Sequence, residues 1–299
     1  MPMRRRTFLA GALATGAVGA GLVPATALAD PAARDAAAWM GSIPDATGLD
    51  DLTIPGSHDS CARIGGPFDT AKCQELTLPQ QFDAGVRFID IRCRLYEGAF
   101  TIHHGPIYQE KNFSDVLGDC RALFGAHPSE TVIMSVQQEY SEASAQDWAA
   151  VFNDRYMRDE GFDAMFLRDN RLPSLGEARG KVVLIANQDF IGGIPASNAD
   201  LLSYQNDWEA PADAKWDLVR RHLDDAEADS SSSKLYVNYS STTAGATIPQ
   251  PRGYAEELNP KIKTYVDAAA GRRPRYGAVV MDFAASVEPG LVDSLIACN

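Results

Sequence analysis

The chain is constrained most by short β-branched and apolar runs that each stop on polar residues. Thr131–Val136 leads into Gln137-Gln138-Glu139, and Lys181–Ala186 stops at Asn187-Gln188-Asp189. Leu235-Tyr236-Val237-Asn238 is a third such run, and the stretch Tyr276–Asp282 ends on a carboxylate. Apolar residues at helical spacing fall between them: Phe113, Val116, Leu117, Cys120, Leu123 and Phe124; Trp148, Val151, Phe152 and Tyr156; Trp216, Val219 and Leu223; then Asn259–Ala270. Strands alternating with helices, with no internal repeat, call for a parallel sheet, open or closed into a barrel. The chain has 299 residues, 45% of them hydrophobic, which is ample for one large α/β domain.

Three earlier stretches carry the chemistry. Leu52-Thr53-Ile54 breaks at Pro55-Gly56, and His58 and Asp59 follow directly, so the pair is displayed at a strand end. In Phe88-Ile89-Asp90-Ile91-Arg92-Cys93-Arg94-Leu95, residues two apart share a face. Asp90, Arg92 and Arg94 therefore line one side, a costly arrangement unless that side borders a polar cavity or solvent. Phe100–His104 forms the next strand, closed by Gly105-Pro106. In a barrel the active site lies at the carboxyl ends of the strands. His58, Asp59, Arg92, His104, Gln137, Asn187 and Asp282 all fall at or just past such ends.

Two histidines from different strands can divide a phosphodiester cleavage, one as base and one as acid. An arginine between them can clamp phosphoryl oxygens, and carboxylates beside histidines fix tautomers. The chain has no G-x-S-x-G elbow, no H-E-x-x-H and no P-loop, so those routes to acyl transfer, zinc hydrolysis or nucleotide binding are not indicated.

At the amino end, Arg4-Arg5-Arg6-Thr7-Phe8-Leu9 opens an Ala/Gly-rich apolar run that closes at Ala27-Leu28-Ala29. Residues 1–29 read as a cleaved export signal of the twin-arginine type, with residues 30–299 as one catalytic domain and the product secreted. Removing three arginines and no acid would take the net charge from −13 to −16. That acidity argues against nucleic acid as a partner and against strong adhesion to anionic membranes. Five cysteines, Cys61, Cys73, Cys93, Cys120 and Cys298, leave one thiol over in any disulfide scheme. They match no structural zinc spacing and read as staples or small buried residues.

The segments Ile54-Pro55-Gly56-Ser57-His58-Asp59-Ser60, Phe88-Ile89-Asp90-Ile91-Arg92-Cys93-Arg94 and His103-His104-Gly105-Pro106, in this order and spacing, resemble the catalytic X region of bacterial phosphatidylinositol-specific phospholipase C. The Pro128-Ser129-Glu130-Thr131 and Met134-Ser135 stretches fit as well. The resemblance is strong over residues 44–188 and looser to Asp282. It implies a single irregular (β/α) barrel of the TIM type and a phosphatidylinositol diacylglycerol-lyase giving diacylglycerol and inositol 1,2-cyclic phosphate. His58 would be the general base, oriented by Asp282. His104 would be the general acid, supported by Asp59; Arg92 would hold the phosphate and Asp90 would position the cluster. The residues alone do not separate His103 from His104, and the family motif points to the second. Gln137 and Asn187 would contact the head group where relatives use basic residues. Trp208 would be a stacking platform, with ordinary core as its alternative, and Asn206 or Asp207 a hydroxyl partner. Arg92 would take the place of the calcium ion of eukaryotic relatives, implying no metal and no other cofactor. Phe68 and residues 244–254, with Ile248 and Tyr254, would touch the lipid surface transiently, and the protein would act as a monomer. Two other readings compete: a divalent-metal phosphodiesterase on a related barrel, and an inactive inositol-lipid binding module.

Overall fold

A computed structural model describes residues 35–231 and 233–299. The export signal expected over residues 1–29 lies outside the described residues.

Among the described residues eleven strands form one sheet: β1 (Thr53–Ser57), β2 (Phe88–Tyr96), β3 (Ala99–His104), β4 (Ile107–Asn112), β5 (Val132–Gln138), β6 (Phe166–Leu167), β7 (Val182–Ala186), β8 (Ile194–Pro195), β9 (Leu202–Gln205), β10 (Leu235–Tyr239) and β11 (Gly277–Met281). The main path runs β6-β7-β5-β2-β1-β11-β10-β9, with β8 also paired to β7. Every pairing on this path is parallel. Among the described residues no ladder joins β9 to β6 or β8, so the sheet curls into a barrel with one open seam. β3 and β4 are antiparallel and stand off the barrel as a hairpin extension of β2. That departs from an all-parallel reading and matters for His104, which reaches the mouth on a returning strand.

Strand parity divides the protein into two cores, as a side-chain period of two requires. Ile89, Ile91 and Cys93 of β2, Met134 and Val136 of β5, and Val279 and Met281 of β11 pack outward with Phe113, Leu117, Trp148, Val219 and Ile262 of the helices. Ile54, Phe88, Ile133, Val183, Ile185, Val237, Ala278 and Val280 fill the interior. Gly56 is required in that interior because a Cβ there would lie 3.0 Å from the Phe88 Cβ. Further along β2, β5 and β11 the same inward parity passes to Asp90, Arg92, Ser135, Gln137 and Asp282. The interior thus turns from apolar to polar toward the carboxyl ends.

Helices α1 (Leu78–Asp83), α2 (Phe113–Ala126), α3 (Ala145–Ala150), α4 (Leu175–Ala178), α5 (Ala212–Ala228), α6 (Pro251–Asp267) and α7 (Leu291–Ile296) complete the fold. α3 continues as a π-helical segment, Val151–Asp159, and the buried Trp148 and Tyr156 stack on Phe100 at 4.1 and 5.2 Å. α6 begins eight residues before the spacing suggests. Pro251 stands in its first turn, where a missing N–H costs nothing. The chain enters the fold through a 3-10 segment, Ala36–Ser42, capped by Asp35. A wholly buried ion pair, Arg87 Nε to Glu130 Oε2 at 2.9 Å, ties β2 to the turn before β5, and Glu130 also accepts from the Met40 amide.

All five cysteines are free and buried. They behave as small core residues rather than staples, except that Cys73 borders the cavity described next.

Candidate active site

A cavity of about 410 Å³ opens at the carboxyl ends of the strands, bordered by His58, Asp90, Arg92, His104, Gln137 and Asp282, among others. His58 is carried past the end of β1, where its amide donates to the Met281 carbonyl at 2.9 Å. Gln74 fixes that turn by donating to the carbonyls of His58 and Met281 at 2.7 and 2.9 Å. Asp59 follows at φ 38°, a left-handed conformation that Asp tolerates better than most residues. The turn places its carboxylate beneath the cavity, fully buried.

The hydrogen bonds assign a tautomer to His58. Its Nδ1 lies 2.7 Å from Asp282 Oδ1, and Arg92 Nη2, which can only donate, lies 2.8 Å from its Nε2. Nδ1 therefore carries the hydrogen and gives it to the carboxylate, while Nε2 offers a lone pair toward the cavity. That is the arrangement of an imidazole base held by a carboxylate.

Arg92 is the centre of charge. Asp90 Oδ2 lies 3.2 Å from its Nη2, Asp59 Oδ2 3.8 Å from its Nε, and Glu139 Oε2 3.8 Å from its Nη1. Burial works against its charge, yet Asp90, Asp59 and Glu139 outweigh burial and hold it above its ordinary range. Asp90 also accepts from the Asp59 amide at 3.2 Å, so one carboxylate orients both the guanidinium and the turn.

His104 faces His58 across this cluster. Its Nδ1 donates to the Ala71 carbonyl at 2.9 Å and lies 3.3 Å from Asp59 Oδ2. Burial pushes the Asp59 carboxyl up to about 6 against the pull of Arg92, His104 and His58. Neither of its oxygens has a hydrogen-bond partner, so its charge interacts with His104 and Arg92 at a distance. His103 points the other way: it is buried, with its ring against Tyr108 and Tyr140. Arg94, on the same face of β2 as Arg92, lies above the rim with its guanidinium 5.1 Å from the rings of Tyr96 and Tyr140.

Of the residues expected to hold a head group, Gln137, Asn206 and Trp208 border the cavity. Trp208 is half exposed, which removes ordinary core as its role. Asn187 does not border this cavity; it lies in a neighbouring cleft and donates to Ser135 Oγ at 2.8 Å.

Sequence reasoning missed Cys73, Tyr239 and Glu139. Tyr239 forms part of the cavity wall, edge-on to His58 with ring centres 6.1 Å apart. Glu139 accepts from the Gly105 amide at 2.7 Å and so ties the arginine to the turn after His104. Its place directly after β5, two residues past Gln137, was the available signal.

A curled parallel sheet with an acid–base pair and a guanidinium at its carboxyl rim defines an α/β-barrel protein with an enzyme-like cleft. Comparisons give the lineage. The family described as phosphatidylinositol-specific phospholipase C, X domain, matches residues 65–188. A 1-phosphatidylinositol phosphodiesterase of Staphylococcus aureus is 28% identical over 284 residues, covering 85% of this chain and 90% of its own length. The Listeria monocytogenes protein of the same name is 29% identical, covering 82% and 80%. Crystal structures of phosphatidylinositol-specific phospholipase C from the two bacteria superpose with TM-scores of 0.80 and 0.77, each 26% identical, covering 89% of this chain and 98% and 99% of theirs. The chain thus resembles bacterial phosphatidylinositol-specific phospholipase C, in the X-domain match over residues 65–188 and in its fold.

Proposed function

We propose that the protein cleaves phosphatidylinositol by intramolecular attack of the inositol 2-hydroxyl on phosphorus, giving diacylglycerol and inositol 1,2-cyclic phosphate. The observation that carries this reading is the Asp282–His58–Arg92 chain of hydrogen bonds facing His104 across the cavity. In the resting protein Arg92 Nη2 holds the His58 Nε2 lone pair. A phosphate oxygen entering the cluster competes for that N–H, which frees Nε2 to take the proton of the 2-hydroxyl. Asp282 then faces an imidazolium and stabilises it.

His104, charged and held by Asp59, gives its Nε2 proton to the departing glycerol oxygen. Each of these proton transfers is worth about 10²–10⁴-fold in rate. Arg92 spreads its donors over the phosphoryl oxygens as negative charge develops. Gln137 and Asn206 supply uncharged partners for inositol hydroxyls, and Trp208 supplies a face for the ring.

The reaction runs without a metal because the guanidinium occupies the position among Asp90, Asp59 and Glu139 that a cation would otherwise take. The protein works after export through the signal at residues 1–29, as a monomer. It meets lipid through exposed apolar side chains at the mouth. Phe68 and Ile248, 76% and 51% exposed, flank one groove beside His104. A Staphylococcus aureus relative, 27% identical, was solved in work on the modulation of its membrane binding.

The test is release of diacylglycerol from phosphatidylinositol vesicles in excess chelator. Full turnover is expected, falling by about 10²-fold or more in both His58→Ala and His104→Ala. Activity restored only by calcium would support the divalent-metal reading, and lipid binding without turnover would support the inactive module.

A further inference from the structure

Cys73 has no part in the reaction above, yet its sulfur stands at the wall between the two imidazoles. Cys73 Sγ, His104 Nδ1 and an Asp59 carboxylate oxygen lie within 4.8 Å of one another. Sγ to Nδ1 is 3.6 Å, and Nδ1 to Asp59 Oδ2 is 3.3 Å. A tetrahedral zinc ion with bonds of about 2.3 Å to sulfur and about 2.05 Å to nitrogen or oxygen spans a sulfur–nitrogen edge of about 3.6 Å and a nitrogen–oxygen edge of about 3.3 Å. Two edges of a zinc tetrahedron thus already exist in the resting protein.

We propose that Cys73, His104 and Asp59 form an inhibitory site for a thiophilic divalent cation, of which zinc is the type, with the fourth position open to solvent in the cavity. The inference rests on the acid role given to His104. A second trio, His58, Cys73 and Asp282, has similar spacing, but there the imidazole and carboxylate already hold each other at 2.7 Å. Both Asp59 oxygens, in contrast, are buried with no hydrogen-bond partner. The surroundings are acidic, with Asp59, Asp90 and Glu139 around the one guanidinium and Asp282 beside His58.

On binding, the Cys73 thiol releases its proton to solvent and its sulfur pair goes to the metal. The His104 hydrogen moves from Nδ1 to Nε2, breaking the bond to Ala71, and the Nδ1 pair ligates the ion. His104 can then no longer become the cation that protonates a leaving oxygen, and the Asp59 charge that would support it is neutralised.

The test uses the full chain in metal-free buffer with cobalt(II) as a spectroscopic probe and zinc as the inhibitor. One equivalent of cobalt should give a thiolate-to-metal charge-transfer band. Zinc should suppress turnover at least about tenfold, reversibly on chelation, and Cys73→Ala should lose the band and raise the zinc needed for half-inhibition at least about tenfold. Absence of the charge-transfer band in the unaltered protein overturns the proposal whether or not the variant folds. A band without inhibition, or equal zinc sensitivity in Cys73→Ala, overturns it too. A protein that shows the band but never turns over phosphatidylinositol would refute the proposed reaction and leave the metal site standing.

Discussion

Replacing Asp282 by Asn isolates what the carboxylate does for His58. The change is nearly isosteric, and the backbone is held independently, since Asn259 Nδ2 donates to the Asp282 carbonyl at 3.0 Å. Two losses follow. The bond from His58 Nδ1, now 2.7 Å to a charged acceptor, loses its charge assistance, about 1.5–3 kcal/mol. The amide can also donate to Nδ1, which places the imidazole hydrogen on Nε2 and removes the base. Carboxamide replacement in a related arrangement costs about 10⁴ in kcat, so a loss of about 10²–10⁴ is expected, or about 3–5 kcal/mol at about 1.36 kcal/mol per decade. The assay is single-turnover cleavage of phosphatidylinositol in detergent micelles, with KM measured separately and thermal unfolding as the control for folding. The fall should appear in kcat, with KM moved little. A variant that keeps kcat within about threefold of the unaltered protein, with its fold intact, would refute the assignment of His58 as a carboxylate-held base.

Three further outcomes follow from the same geometry. Glu130→Ala strands the buried Arg87 guanidinium and should cost about 3–5 kcal/mol in urea unfolding; a change under about 1 kcal/mol would contradict the pairing. Asp59→Asn should separate stability from activity. The Asp59 carboxyl is raised from 3.8 to about 6 by burial, with Arg92, His104 and His58 pulling the other way, so its contribution to stability is full below about 3.8 and lost as pH rises through about 6. The Asn variant should therefore melt higher than the unaltered protein above pH 6 and be much less active. The unaltered enzyme should also lose activity as pH falls through about 6; an unchanged pH profile in the variant would count against this account. His103→Gln, measured by the same turnover assay, should stay within about threefold of full activity because its ring packs outside the cavity, and a loss as large as that of His104→Ala would reverse the choice between the two.

The main strands and the polar residues at their carboxyl ends were legible because a period of two and an abrupt apolar-to-polar change are properties of neighbouring residues. His58, Arg92, Gln137 and Asp282 could be placed at one rim on that basis. What the sequence hid was long-range. Nothing local says that β8 and β9 leave a seam, since pairing partners are chosen by tertiary packing, whereas the two-residue Glu97-Gly98 loop that turns β3 back along β2 is a local signal. β6 and β8 are two residues long, too short to show any period. Cys73 lies in an irregular segment, and only folding brings its sulfur beside His104. Asn187 ends β7 as expected, yet its side chain turns to Ser135 rather than into the cavity, a choice set by a neighbouring strand. The start of α6 was hidden because a proline suits a loop and a first helical turn equally well.

The central claim is that two imidazoles and one guanidinium drive the inositol hydroxyl, rather than water, onto phosphorus. Phosphorus NMR of the first product formed from phosphatidylinositol tests it directly. The account predicts a cyclic inositol phosphate resonance that appears before any monoester and vanishes in His58→Ala. A monoester formed from the outset, with no cyclic intermediate at any time, would contradict it.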